Sequence, residues 1–183
     1  MKLLCFGDSN TYGFDPRDIF GGRYDASHRW PEILASQTGW DVMNEGVNGR
    51  QIPRNPYPLR LLKEHGAVDI FLVMLGTNDL LQGATAAETA ARMANFLNQL
   101  RPCGARILLV APPPMQRGAW VSTDALVEES MRLCSEYRRL AQQLHIPFVD
   151  TSEWKIPLAF DGVHFTEEGN RMFANRLLSF LTS

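Results

Sequence analysis

Apolar residues recur along this chain in two rhythms. Short, nearly unbroken runs at residues 3–6, 42–44, 70–75, 107–111 and 147–149 have the length expected of strands covered on both faces. Between them, residues 30–37, 57–65, 86–100 and 126–144 carry apolar positions at helical spacing, and residues 167–181 close the chain in the same way. The helix after Thr85 opens with a capping box, Glu88 standing three residues on, and sets Ala90, Met93, Leu97 and Leu100 along one face. The last helix takes Thr166 as its cap and is expected to turn Phe173, Leu177 and Phe180 to the sheet.

Strands alternating with helices predict an α/β fold in which a five-stranded parallel sheet is doubly wound, with helices on both faces. In such a sheet ligands bind outside the carboxyl ends of the strands, so the loops after the strands are where chemistry is sought. No linker or internal repeat interrupts the pattern, and residues 1–183 read as one domain.

Composition narrows the function. A chain that is 45% hydrophobic and 21% charged, with net charge −2, is neither disordered nor fibrous, and it offers nucleic acid or an anionic membrane no long-range attraction. Cys5, Cys103 and Cys134 are widely spaced and odd in number, which suggests neither a disulfide framework nor a metal site and fits a reducing, cytoplasmic setting. The opening apolar run meets Gly7-Asp8-Ser9 before a secretory core could form. No stretch approaches the roughly 18 apolar residues of a membrane span.

The strand-end loops carry the unusual residues. They are Gly7-Asp8-Ser9-Asn10, Gly46-Val47-Asn48-Gly49-Arg50, Gly76-Thr77-Asn78-Asp79 and, before the last helix, Asp161-Gly162-Val163-His164. A serine hydroxyl is a weak nucleophile unless a base takes its proton during attack. Of His28, His65, His145 and His164, only His164 has a carboxylate at a short fixed offset within such a loop. Asp161 can fix the tautomer of that imidazole and stabilise the imidazolium. Acyl transfer also needs donors for the developing oxyanion, and the Ser9 N–H, the Gly49 N–H and the Asn78 carboxamide are the candidates.

These four blocks, in this order and spanning nearly the whole chain, resemble the SGNH, or GDSL-type, hydrolase family. The resemblance implies a flavodoxin-like three-layer α/β/α sandwich and hydrolysis of acyl esters with no metal or organic cofactor. It implies Ser9 as nucleophile, Asp161 and His164 as the acid–base pair, and Ser9, Gly49 and Asn78 as the oxyanion hole. The strings Phe6-Gly7-Asp8-Ser9-Asn10-Thr11-Tyr12-Gly13-Phe14, Arg29-Trp30, Ala111-Pro112-Pro113-Pro114 and Gly162-Val163-His164-Phe165-Thr166 are similar to its arylesterase and acyltransferase branch, which implies short acyl chains. A transferase-proficient member has alanine where this chain has Gly49, so strong acyl transfer to alcohols in water is not implied. The oligomer-forming insertion after the second strand is shorter here, so a large assembly is not implied either.

Tyr12, Phe14, Trp120, Trp154 and Val163 lie in strand-end loops and are expected to wall an apolar pocket for a small-molecule ester; for Trp120 and Trp154 a place in the core is an equal reading. Asp8 and Asp79 are expected to hold loop backbone. Arg50, Arg54 and Arg60, set among prolines, read as a solvated stiff loop. The long connection from Phe14 to His28 reads as a lid or as a contact in a homo-oligomer. Two other functions share these features. One is a lysophospholipase or thioesterase of the same fold, and the other a non-catalytic domain for an acylated sugar or nucleotide. The second has no Gly-rich phosphate cradle to support it.

Overall fold

The first strand dictates the layers. Side chains alternate across a strand, and Leu3 and Cys5 lie in one apolar cluster while Leu4 and Phe6 lie in another, all four completely buried. A strand buried on both faces needs a covering layer on each side. The computed structural model, which describes residues 1–18, 20–55, 60, 62 and 64–183, supplies both.

Among the described residues the strands are β1 (Lys2–Gly7), β2 (Asp41–Gly46), β3 (Ile70–Met74), β4 (Arg106–Val110) and β5 (Phe148–Val149). They form one parallel sheet in the order β2-β1-β3-β4-β5, a doubly wound order that reverses direction at β1 and β3. The longer helices are α2 (Trp30–Thr38), α4 (Ala86–Leu100), α5 (Asp124–Leu144) and α6 (Glu167–Thr182). Met93, Phe96 and Leu97 of α4 and Leu133, Tyr137 and Ala141 of α5 cover the face that carries Leu4, Phe6, Phe71 and Val73. On the other face Trp30 and Leu34 of α2 and Phe173 and Leu177 of α6 meet Leu3, Cys5, Leu72 and Val110. The expected three-layer α/β/α sandwich is therefore present.

The Thr85–Glu88 capping box forms in both directions, and Thr166 accepts from the Gly169 N–H, each cap contributing on the order of 1 kcal/mol. Two expectations change. Phe180 does not face the sheet and is 38% exposed, because the stripe of α6 that packs on the core runs on from Leu177 through Leu178 and Leu181 and leaves Phe180 to one side. Two short helices, α1 (Ser9–Tyr12) and α3 (Thr77–Leu81), stand where loops were expected, being too brief to show a period. Of the helix expected over residues 57–65, Arg60, Leu62, Glu64 and His65 are helical and the rest lies outside the described residues.

Candidate active site

The carboxyl ends of β1, β2 and β3 are level, Gly7 pairing in register with Gly46 on one side and Met74 on the other. The segments that follow these strands therefore start from one edge, at the point where the strand order reverses. Ser9 opens α1 directly after β1, Gly49 lies in the loop after β2, and Asn78 sits in the first turn of α3 after β3. The loop from β5 to α6 brings Asp161 and His164 to the same edge.

Ser9 is held by its own short helix. Asp8 caps it by accepting the Asn10 N–H at 3.0 Å, and the Ser9 carbonyl accepts the Gly13 and Phe14 N–H groups at 2.9 and 3.0 Å. Gly7 makes room for this turn, since a Cβ there would lie 2.0 Å from the Thr11 hydroxyl. The Ser9 Oγ is 2.9 Å from Nε2 of His164, and Nδ1 of His164 is 2.7 Å from Oδ2 of Asp161. The second carboxylate oxygen of Asp161 accepts the N–H groups of Val163 and His164 at 2.8 and 2.9 Å. Burial pushes the Asp161 carboxyl up, but the bonds from the His164 ring and these two N–H groups outweigh it and leave it below its ordinary value. All three residues are buried.

The loop that carries Asp161 is clamped by the loop after β4. The N–H groups of Gln116, Ala119 and Trp120 donate to the carbonyls of Gly162, Phe160 and Asp161 at 2.9 to 3.0 Å. Gly162 has φ +81° and a Cβ there would sit 2.1 Å from the Gln116 carbonyl, so only glycine fits this backbone-to-backbone contact.

Gly49 and Asn78 meet through Arg50. Gly49 has φ +71°, a left-handed conformation that glycine adopts without strain, and the carbonyl of the next residue, Arg50, accepts from Asn78 Nδ2 at 3.2 Å. That bond uses one of the two amide protons and sets the plane of the group. The sequence reading of Arg50 as part of a solvated loop is corrected: its guanidinium donates to the Gly7 carbonyl at 2.9 Å and to the Glu45 carbonyl, and lies 4.1 Å from the Phe6 ring centroid. Asp79 accepts the Ile52 N–H at 3.0 Å and pairs with Arg92 at 2.9 Å, so it holds loop backbone as expected. So does Asp8, whose carboxyl burial pushes up to about 6 against the Asn10 N–H and the nearby His164 and Arg50.

The aromatic candidates divide. Phe14 and Trp120 flank the His164 imidazole, with ring centroids at 4.6 and 5.0 Å, and Trp120 remains 54% exposed. Tyr12 packs under Arg23 at 4.3 Å. Val163 is buried in the cluster on the α4 and α5 face. Trp154 does not belong with the pocket: it packs edge-on against Phe173 at 5.4 Å, in the cluster under α2 and α6. An apolar ring at a strand-end position follows whichever layer its loop crosses, which local sequence does not reveal. Of the other histidines, His145 caps the end of α5, His65 bonds Glu45 at 2.6 Å, and His28 closes a turn over Ala26–His28. The Phe14–His28 connection is tied down at its start by a bridge between Phe14 and Arg23.

The chain's residues 5–172 match the model of the GDSL-like lipase/acylhydrolase family. No curated protein matches by sequence. Solved structures do. A carbohydrate acetylesterase family member from Sinorhizobium meliloti is 29% identical with a TM-score of 0.87, the likeness covering 99% of this chain and 97% of that one. The aryl esterase of M. smegmatis is 27% identical with a TM-score of 0.87 over 99% and 98% of the two chains. A second Sinorhizobium meliloti carbohydrate acetylesterase, Est24, is 25% identical with a TM-score of 0.85 over 99% and 98%.

Proposed function

This chain belongs to the GDSL-like lipase/acylhydrolase family and is a serine esterase acting on acyl esters, and we propose that Ser9, His164 and Asp161 carry its reaction and that short acyl groups of the acetyl type are its substrates. The observation that supports the residue roles is the unbroken line from the Ser9 hydroxyl through both nitrogens of His164 to Asp161, at 2.9 and 2.7 Å. The acceptor on Nδ1 keeps that proton in place, which leaves Nε2 with a lone pair for the serine.

In the proposed mechanism Ser9 Oγ forms a bond to the ester carbonyl carbon while its proton passes to His164 Nε2. The carbonyl oxygen becomes an oxyanion, held by the Ser9 and Gly49 N–H groups and the second amide proton of Asn78. The tetrahedral centre collapses, the C–O bond to the alcohol breaks, and Nε2 returns the proton to the departing oxygen. Water then attacks the acyl-enzyme with His164 as base, and a second collapse frees the acid and Ser9. The Phe14 and Trp120 rings beside the imidazole supply the apolar wall, and the carbohydrate acetylesterases among the similar structures support the acyl size. We read residues 1–183 as one domain organised on the single sheet. Among the described residues no helix is long and apolar enough to cross a membrane, and three free cysteines, two of them buried, support a cytoplasmic setting.

The reading is tested by p-nitrophenyl esters from acetate to palmitate. Turnover should be greatest on acetate and fall steadily with length; a maximum at palmitate would favour a lysophospholipase or thioesterase. Asn78→Ala should lower kcat by about 100 to 1,000-fold with little change in KM, since its second amide proton is used only when the oxyanion forms. Unchanged kcat in that variant would remove Asn78 from the oxyanion hole.

A further inference from the structure

Nucleophile and base belong to segments 155 residues apart, so their 2.9 Å approach is made by tertiary structure. The backbone of Val163, His164 and Phe165 is completely hydrogen-bonded. The Val163 and His164 N–H groups go to Asp161, and the His164 carbonyl accepts the Ala159 N–H at 2.7 Å. The Phe165 carbonyl accepts the Tyr24 hydroxyl at 3.3 Å. The two groups left over, the Val163 carbonyl and the Phe165 N–H, are both taken by the side chain of Asn10, through Nδ2 at 3.1 Å and Oδ1 at 2.9 Å.

Asn10 follows Ser9 in α1 and is buried. Its own backbone is fixed on both sides, the N–H by Asp8 at 3.0 Å and the carbonyl by the indole N–H of Trp30 at 3.0 Å. Of the six bonds on that tripeptide, the two from Asn10 are those that lead to the helix of the nucleophile. They grip the residues immediately before and after His164. Only a carboxamide offers a donor and an acceptor on one rigid plane for this purpose; a carboxylate keeps the shape and loses the donor.

We propose that Asn10 is a positioning residue for catalysis, locking the His164 main chain to the Ser9 helix so that Nε2 stays within proton-transfer distance of Oγ. The proposal rests on the reading of Ser9 as nucleophile and His164 as its base. It acts through geometry alone, since Asn10 bonds neither the reacting hydroxyl nor the imidazole. A displacement of about 1 Å at such a contact can cost on the order of 100-fold in rate.

The test compares wild type, Ser9→Ala, Asn10→Ala, Asn10→Asp and Tyr24→Phe, each well below its own melting temperature. The readouts are kcat and KM on p-nitrophenyl acetate and the rate of covalent labelling by an alkyl fluorophosphonate, which needs the same activated hydroxyl. Asn10→Ala and Asn10→Asp should each lose about 10 to 100-fold in both kcat and labelling rate with KM within about threefold. Tyr24→Phe, which removes a bond to the same tripeptide from a segment that does not carry the nucleophile, should keep kcat within about threefold. Asn10→Asp keeps the side chain's size, and it decides the matter if Asn10→Ala fails to fold. The proposal is overturned if the folded Asn10 variants turn over and label at the wild-type rate, or if Tyr24→Phe loses as much as they do. Labelling of Ser9→Ala as fast as wild type would overturn the nucleophile assignment and this proposal together, whereas labelling confined to proteins with Ser9 but insensitive to Asn10 removes the proposal alone.

Discussion

Ser9→Ala is expected to lower kcat on p-nitrophenyl acetate by about 10,000-fold or more, because a triad acts as a unit and loses nearly all its benefit with the nucleophile. The fold should survive. The side-chain bond of Ser9 is the one to His164 Nε2, and α1 is held by the Asp8 cap and by Asn10 rather than by that hydroxyl. Alanine also forms helix at least as readily as serine. Thermal melting beside steady-state kinetics would separate the two effects. A Ser9→Ala protein that keeps wild-type turnover would end the assignment of the nucleophile, and one that unfolds would show that the hydroxyl has a structural role not evident from its contacts.

The parts of this molecule that were legible in its sequence are those set by local physics. Residues 70–75 spell a strand covered on both faces, and they build β3 within one residue. Thr85 with Glu88 spells a helix start that the structure realises bond for bond. Asp161 and His164 are three residues apart, close enough for spacing alone to bring carboxylate and imidazole together, whereas the approach of Ser9 to that imidazole spans 155 residues and is made by the fold.

What local sequence does not encode is which loop meets which. Asn10 stands in a strand-end block from which only Ser9 was given a role, and its two partners are 153 and 155 residues away; no spacing rule covers that distance. Arg50 reads as surface because arginine is mostly exposed, yet the strand ends at Gly7 and Glu45 offer it carbonyl acceptors and Phe6 a ring face. For Trp154 a strand-end position left pocket and core equally open, and Phe173 of the last helix claimed the ring for the core. An asparagine directly after Ser9, at the end of a strand that reads as covered on both faces, is the signal that could have been followed, since a carboxamide buried there requires partners.

The second large effect concerns proton bookkeeping at Asp161. Asp161→Asn should reduce kcat by about 10,000-fold, the size expected when a triad histidine is held in the wrong tautomer. One oxygen of Asp161 accepts two main-chain N–H groups, from Val163 and His164, and an asparagine must keep its carbonyl oxygen there, since its NH2 has nothing to accept them with. The NH2 is then forced to face Nδ1 of His164, where the carboxylate oxygen now stands at 2.7 Å. It can only donate, so Nδ1 becomes the acceptor and the ring proton moves to Nε2, the nitrogen that must receive the proton of Ser9. The loop itself keeps its backbone bonds, so the melting temperature should change little. Asp161→Ala is the informative companion: it leaves those two N–H groups without their acceptor and should lose stability as well as rate, by about 1 to 3 kcal/mol for buried donors left unsatisfied. If Asp161→Asn keeps more than about a tenth of wild-type kcat, the histidine does not depend on this carboxylate for its tautomer, and the acid–base pair must be reassigned.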